Sequence, residues 1–355
     1  QLAYPTKEVE GVFHVTVPAW RFDISIEADL VEEVGRIYGY DKIPSTLPTT
    51  SSTQGGLNEK QRFVRWTRQF MQGAGLSQAY SYALTTPEKS HWFTVEERPS
   101  IRLDLPMSED RSELRQSMLP SLLEALQYNV ARSQQNVRLF EVGKVFSIGK
   151  NGSEDFQERE VIGAAVTGEW DHASWQSPSQ PVDFFALKGV LEAYFAELNC
   201  SDRIRFVATD AIGQLHPGQT AYIYLGEELI GFIGKIHPVI QKELDLSDTF
   251  VFELLVEPLL AEGLQERVIQ AVPKFPSMTR DIALLVPVTM AHATLEAVIK
   301  EQAGQYVQSV TLFDVYKGEH VQEGYQSLAY SIRFLNKEAT LQEEEIKQAM
   351  DRIQT

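Results

Sequence analysis

Apolar residues at Ile26, Leu30, Val34 and Ile37/Tyr38 recur at helical spacing, which predicts an amphipathic helix ending near Gly39 with its apolar stripe on a core. Before it, Gly11 to Val17 reads as a strand. Phe63, Trp66, Phe70 and Met71 mark a second helix over 58–72, followed by strand-like residues 78–84 and a period-two stretch at 101–105. Leu114, Met118, Leu122, Leu126 and Val130 are spaced by four and predict a helix over 112–132, with Pro120 near its true start or at a kink. Residues 137–146 form a strand, and Asn151-Gly152 turns it into a return strand over 160–167. The final third alternates strand 282–286, helix 294–303, strands 307–316 and 325–335, and helix 340–353. That order, βαββα, is one strand short of a ferredoxin-like fold.

Pro44, Pro48 and the polar run 49–56 break the pattern and read as a linker. The expected division is therefore 1–48, the C-terminal half of a small α+β module carrying the acidic helix; 57–265, a core domain; and 273–355, a ferredoxin-like domain whose last strand is missing. The fold class is α+β. Because the chain opens on Gln1 and runs at once into strand-like sequence, it reads as part of something longer.

Composition changes the picture in one respect. A net charge of −17 over 355 residues argues against wholesale wrapping of nucleic acid, because affinity for phosphate comes chiefly from Lys and Arg. Only the segment from Glu59 to Arg138 is slightly basic, and it is the candidate for a partner or an RNA backbone. No apolar run reaches the roughly 18 residues that span a bilayer, so a cytoplasmic chain without a membrane is expected. The single cysteine, Cys200, reads as a small buried hydrophobe. His216 and His237 each precede a proline, with no third ligand at a recognisable spacing, and read as turn histidines.

Asp29, Glu32 and Glu33 share one face of the first helix, and Asp23 lies just before its first turn, so four carboxylates are expected to converge. Like charges there need a cation, either a bound ion or basic side chains such as Arg21, Arg36 and Lys42. All-oxygen ligation would suit Mg²⁺ or Ca²⁺. Spacing alone equally allows acids that complement the helix dipole and face water.

The run Arg21-Phe22-Asp23-Ile24, Asp29-Leu30-Val31-Glu32-Glu33-Val34 and Arg36-Ile37-Tyr38-Gly39-Tyr40-Asp41-Lys42-Ile43-Pro44 closely resembles the beta subunit of bacterial phenylalanyl-tRNA synthetase. The resemblance implies that Asp23, Asp29, Glu32 and Glu33 bind a Mg²⁺ shared with the alpha subunit. Arg138-Leu139-Phe140-Glu141 looks in part like the second signature motif of class II synthetases, in which an arginine grips the ATP phosphates and a nearby acid helps to hold adenine. The Gly-rich third motif with its arginine has no counterpart. The resemblance thus implies a class II synthetase-like antiparallel-sheet domain that is noncatalytic and serves as a scaffold for the alpha subunit.

Phe275-Pro276-Ser277 with Arg280-Asp281, Leu312 to Tyr316 with Gly318, and Thr340-Leu341 resemble the ferredoxin-fold anticodon-binding domain of the same subunit. Lys274, Arg280 and Arg333 are the candidate RNA contacts. What the family implies is the C-terminal portion of a phenylalanine–tRNA ligase beta subunit, working with the alpha subunit as an alpha2beta2 heterotetramer on tRNA(Phe), ATP and Mg²⁺. The family's editing site would lie upstream. Two rivals differ in class: an autonomous ATP-dependent ligase domain using Arg138 and Glu141, and a protein-interaction scaffold that never touches RNA.

Overall fold

The computed structural model describes residues 2–49, 55–96, 98–149, 155–263, 269, 271–318 and 321–354. The chain divides into two compact units, Gln1–Glu169 with Leu244–Ser247, and Trp170–Glu243 with Asp248–Thr355.

The first unit opens with a hairpin, β1 (Thr6–Val9) and β2 (Val12–Val15), turned by Glu10 and Gly11, both at positive φ as a two-residue hairpin turn requires. Helix α1 (Glu27–Tyr38) follows and stops at Gly39, whose φ of 103° is open to glycine. Its start and end agree with the pattern, but its orientation does not. Val34 is 64% and Tyr38 57% exposed, whereas Glu33 is buried, so the apolar stripe faces outward. Among the described residues up to 49 only Ile24 and Glu33 are buried. Among the described residues no apolar core meets the stripe, and the inward face is the one on which Glu33 pairs with Arg21 and Arg36.

After a short 3-10 turn, α2 (Glu59–Gly73) starts on a capping box. Asn58 Oδ1 accepts from Gln61 N at 2.8 Å, and Gln61 Oε1 accepts from Asn58 N at 3.0 Å. Phe63, Val64 and Met71 are buried along one side. Two brief strands, β3 (Ser77–Gln78) and β4 (Leu84–Thr85), replace the single strand expected over 78–84. Residues 101–105 do not form a strand either: only Arg102 bridges Glu113, and Leu105 is 94% exposed. The long helix expected over 112–132 is likewise shorter. Its first residues form β5 (Glu113–Leu114), which pairs with β4, and α3 (Leu119–Val130) begins with Pro120 in its first turn, where a missing N–H is harmless.

Strands β6 (Val137–Ile148) and β7 (Phe156–Thr167) form a long antiparallel pair, with β3 parallel to β6. Helix α3 lies on both long strands and buries Leu119, Leu122, Leu123 and Leu126. The Asn151-Gly152 turn lies outside the described residues.

Two brief strands, β8 (Glu169–Asp171) and β9 (Gln180–Pro181), precede α4 (Phe184–Glu197). In the second unit, strands β10 (Ile204–Ala208), β11 (Leu215–Leu225), β12 (Glu228–Ile236) and β13 (Thr249–Leu255) join as an antiparallel meander, with α5 (Pro238–Glu243) inserted before β13 and α6 (Val256–Glu262) after it. Helix α4 packs on β12 and β13 through residues including Leu187 and Leu191.

The remainder of this unit runs β14 (Met278–Pro287), α7 (His292–Ala303), β15 (Val307–Tyr316), β16 (Tyr325–Phe334) and α8 (Glu343–Gln354). The strands lie in the order β14-β16-β15, all antiparallel. Ile299, Ala303, Ile346 and Ala349 of the helices share one core with Ile282, Leu328, Tyr330, Ile332 and Phe334 of the sheet. The expected βαββα order is therefore observed.

Gly143 on β6 sits beneath a buried ion pair. A Cβ there would come within 3.0 Å of Arg115 Nη2 and Met118 Cε, and 3.1 Å of Glu141 Oε1. Gly143→Ala is expected to destabilise the first unit by roughly 1–3 kcal/mol. The measurement is the denaturant midpoint, and an unshifted midpoint would show that this crowding is relieved freely.

Candidate functional site

Helix α1 and the turn before it carry the acidic residues. Asp29 spends one oxygen on the helix start: its Oδ2 accepts from Ser25 N at 2.7 Å and Ile26 N at 2.9 Å. Those two backbone donors, Ser25 first, lower its carboxyl below the usual range. Asp23 and Glu33 both face Arg21. Its Nε donates to Asp23 Oδ1 at 2.8 Å, and Nη2 lies 2.5 Å from Asp23 Oδ2 and 3.1 Å from Glu33 Oε1. Nη1 donates to Glu33 Oε2 at 3.2 Å and also to the Tyr4 hydroxyl. Arg36 Nη2 adds a further bond to Glu33 Oε2 at 2.9 Å. Glu32 is exposed and makes no side-chain hydrogen bond or ion pair among the described residues.

The expected convergence of four carboxylates is not what the chain adopts. Among the described residues no group of three or more His, Cys, Asp or Glu is gathered as for a metal ion. Arg21 and Arg36 draw Asp23 and Glu33 to themselves, while Asp29 turns back to the backbone. Of the two cation sources that the sequence left open, the basic side chains are the ones seen, although Lys42 instead lies over the Tyr38 ring at 5.5 Å. The donor set still suits a hard cation, since every candidate ligand atom is a carboxylate oxygen and Arg21 stands in as the positive charge between two of them.

A second network lies inside the first unit. Arg115 and Glu141, 3% and 4% exposed, pair at 3.0 Å. Ser81 Oγ donates to Glu141 Oε2 at 2.6 Å and accepts from Arg115 Nη1 at 2.7 Å, and Arg115 Nε donates to Lys144 O at 2.9 Å. Glu141 is thus committed to internal partners, and Arg138 lies beside Gly75. Sequence reasoning missed Arg115 and Ser81, because nothing in their spacing links positions 81, 115 and 141. Much of the basic surplus of 59–138 is similarly consumed: Lys60 pairs with Glu160, Lys89 and Arg111 with Glu124, and Arg102 with Glu109.

Strand β16 separates the RNA candidates. Its even-numbered residues from Gln326 to Phe334 are buried, whereas Ser327, Ala329, Ser331 and Arg333 face away from the helices. Cross-strand rows Thr279–Arg333–Ser309 and Asp281–Ser331–Thr311 pave that open face, with Tyr316 beside Ser327. Arg333 Nε donates to Ser277 Oγ at 2.9 Å. Arg280 pairs in register with Ile332, on the helix side, where Nη2 reaches Glu343 at 2.5 and 2.7 Å. Lys274, in the segment before β14, is exposed and makes no ion pair among the described residues.

His216 lies inside β11 where its register shifts, not in a turn, and its Nδ1 accepts from Gly218 N; His237, just before α5, accepts from Val239 N through Nδ1. Cys200 is buried, and burial pushes its thiol up to about 11. Among the described residues no helix is long and apolar enough to cross a membrane.

Residues 43–256 match the family model of the phenylalanyl tRNA synthetase beta chain CLM domain, 273–355 the ferredoxin-fold anticodon binding domain, and 1–40 the tRNA synthetase B5 domain. The first match alone covers more than half of the sequence, and the chain belongs to the phenylalanyl-tRNA synthetase beta chain family. Among its relatives, the phenylalanine–tRNA ligase beta subunit of Bacillus subtilis strain 168 is 47% identical over 353 residues, which are 99% of this chain and 44% of that protein. The beta subunit of Geobacillus kaustophilus strain HTA426 is 43% identical over 352 residues, again 99% and 44%. The chain therefore spans less than half the length of these relatives. A pyrrolysyl tRNA synthetase structure from Desulfitobacterium hafniense overlaps 56% of this chain and 66% of its own at 13% identity, with a TM-score of 0.42, too loosely to define a common fold.

Arg21 holds Asp23, and Arg21 with Arg36 holds Glu33, so both carboxyls are lowered to about 2 from ordinary values of 3.8 and 4.5. A lowered carboxyl stabilises the folded chain fully above its ordinary value and loses that contribution as pH falls through the folded value. The pairs around Arg21 are thus expected to weaken between about pH 4.5 and 2. Carboxyl ¹³C titration should place both midpoints near the bottom of that window, and Arg21→Gln should raise both. Midpoints indifferent to Arg21 would remove this account of the cluster.

Proposed function

We propose that this chain is the part of a phenylalanine–tRNA ligase beta subunit that helps assemble the enzyme with its catalytic alpha subunit and binds tRNA(Phe) at the anticodon end. In this reading the complete alpha2beta2 enzyme attaches phenylalanine to tRNA in the cytoplasm, using ATP and Mg²⁺. The observation that carries it is the match of 273–355 to an anticodon-binding domain whose sheet leaves one face uncovered by helices. An open sheet face with Tyr316 and Tyr325 at one end and Arg333 at the other offers rings for stacking bases and a cation for phosphate.

The three RNA candidates then differ in readiness. Arg333 and Lys274 can reach phosphate as they stand, whereas Arg280 must first leave Glu343. Residues 57–265 are read as a class II synthetase-like scaffold without catalysis. The reading is supported by Glu141, the acid of the partial second motif, being occupied by Arg115 and Ser81 and so withheld from a nucleotide. Asp23, Asp29, Glu32 and Glu33 are proposed to hold the Mg²⁺ shared with the alpha subunit. When bound, that ion would neutralise the acidic helix and bridge the two subunits.

Two outcomes test this reading. In the assembled enzyme, Arg333→Ala should weaken tRNA binding by a factor of roughly ten, about one charge-assisted hydrogen bond, and lower the slope of log affinity against log salt by about 1. Lys274→Ala should lower the slope similarly, while Arg280→Ala should change it less. Slopes unchanged in all three would move RNA binding off this face and favour the scaffold reading. Light scattering of the full-length subunit mixed with the alpha subunit should report a heteromeric complex that weakens on chelation or with Glu32→Ala/Glu33→Ala. Assembly indifferent to both would remove the metal from the interface.

A further inference from the structure

The acidic cluster already contains a cation, and the way it is held bears on how a metal would enter. Arg21 occupies all four carboxylate oxygens of Asp23 and Glu33: Nε and Nη2 take the two of Asp23, while Nη2 and Nη1 take the two of Glu33. Nη2 is therefore a single positively charged donor shared between two carboxylates, at 2.5 and 3.1 Å. Mg²⁺ binds carboxylate oxygens at about 2.0–2.1 Å and demands near-octahedral space for its waters. A metal between these same two oxygens would need the place of Nη2, and the guanidinium beside it would repel it.

We infer that Arg21 is the resident counter-ion of this cluster and competes with the divalent cation for Asp23 and Glu33, so that metal loading requires its guanidinium to swing out. This rests on the metal reading proposed above and adds to it a residue that regulates occupancy. The swing has a destination. The Arg21 guanidinium already lies 5.6 Å from the Tyr4 ring and 5.9 Å from that of Trp20, and Trp20 is 63% exposed, so an aromatic face near the surface can receive the displaced charge. Arg36 holds Glu33 from the next turn of the helix and need not move with Arg21, because its contact uses only Oε2. Glu32 is exposed and, among the described residues, makes no side-chain hydrogen bond or ion pair.

Competition has a quantitative signature. A site open for a tenth of the time binds its ligand tenfold more weakly than the same site held open. Titrating the full-length subunit assembled with the alpha subunit, after removal of bound metal, with Mg²⁺ by calorimetry and with Mn²⁺ by paramagnetic resonance should therefore show Arg21→Gln binding at least tenfold more tightly than the natural enzyme, with Arg21→Lys in between. Because Arg21 also ties Tyr4 to α1, the glutamine variant risks loosening the module. The natural chain supplies an independent readout: its Arg21 Nε–H resonance, protected from solvent exchange at first, should lose that protection as Mg²⁺ saturates.

Equal affinities in the three proteins, with Arg21 protection unchanged at saturating Mg²⁺, would overturn the competition and leave the metal site standing. Absence of Mg²⁺ and Mn²⁺ binding in every protein would overturn the metal reading and this inference with it.

Discussion

A carboxylate withdrawn from water gains from a cation or several hydrogen-bond donors, and two of the four buried glutamates among the described residues, Glu33 and Glu141, find them with the same device. In the first case Glu33 is buried against Arg21 and Arg36, and this pairing fixes how α1 rolls. In the second, Glu141 is buried against Arg115 with Ser81 between them, and the pairing ties β6 to the segment leading into α3. Gly143 is part of the second solution, since a Cβ there would crowd the guanidinium at 3.0 Å. Removing Arg115 would leave Glu141 buried without its cation, which is far more costly than losing a surface ion pair, whereas Glu33 keeps a second arginine if one is removed.

How far the sequence disclosed this depends on what each element answers to. Helix α2 was legible because its capping box and one-sided apolar stripe agree with its packing, and β16 because a half-buried strand alternates visibly. Helix α4 escaped the pattern because Phe184, Phe185, Leu187, Val190, Leu191, Tyr194 and Phe195 spread apolar side chains around it, so no single stripe announces a helix. Residues 101–105 alternate like a strand yet lack a partner long enough to pair with, since β5 is two residues long. Leu114 fell on the four-residue spacing of α3 although β4 claims it for a ladder.

The acidic cluster shows a different limit. Spacing put Asp29, Glu32 and Glu33 on one helix face, and that much is geometry. Which charge answers them is a tertiary matter, because Arg21 and Tyr4 reach the helix from outside it. The same limit applies to the RNA candidates: Arg280 and Arg333 look equivalent as basic residues on strands, but the odd and even positions of paired strands assign them to opposite faces. The helix-side residue meets Glu343, and among the described residues the open-side residue hydrogen-bonds Ser277.

These placements bear on why an acidic chain should be read as an RNA-binding one. With a net charge of −17, any recognition of phosphate must come from cations not already spent on carboxylates. Among the described residues, the slightly basic segment in the first unit fails that test at six of its eleven basic residues, for Lys60, Lys89, Arg98, Arg102, Arg111 and Arg115 are all ion-paired. On the open sheet face, by contrast, Arg333 is bonded among the described residues to the Ser277 hydroxyl, which phosphate can replace. A surface that is acidic overall also repels phosphate wherever cations are not presented, which confines binding to the place where they are. The buried Glu141 points the same way from the opposite side. Glu141 is already satisfied by an internal arginine and a hydroxyl, so its carboxylate is not presented to a ligand.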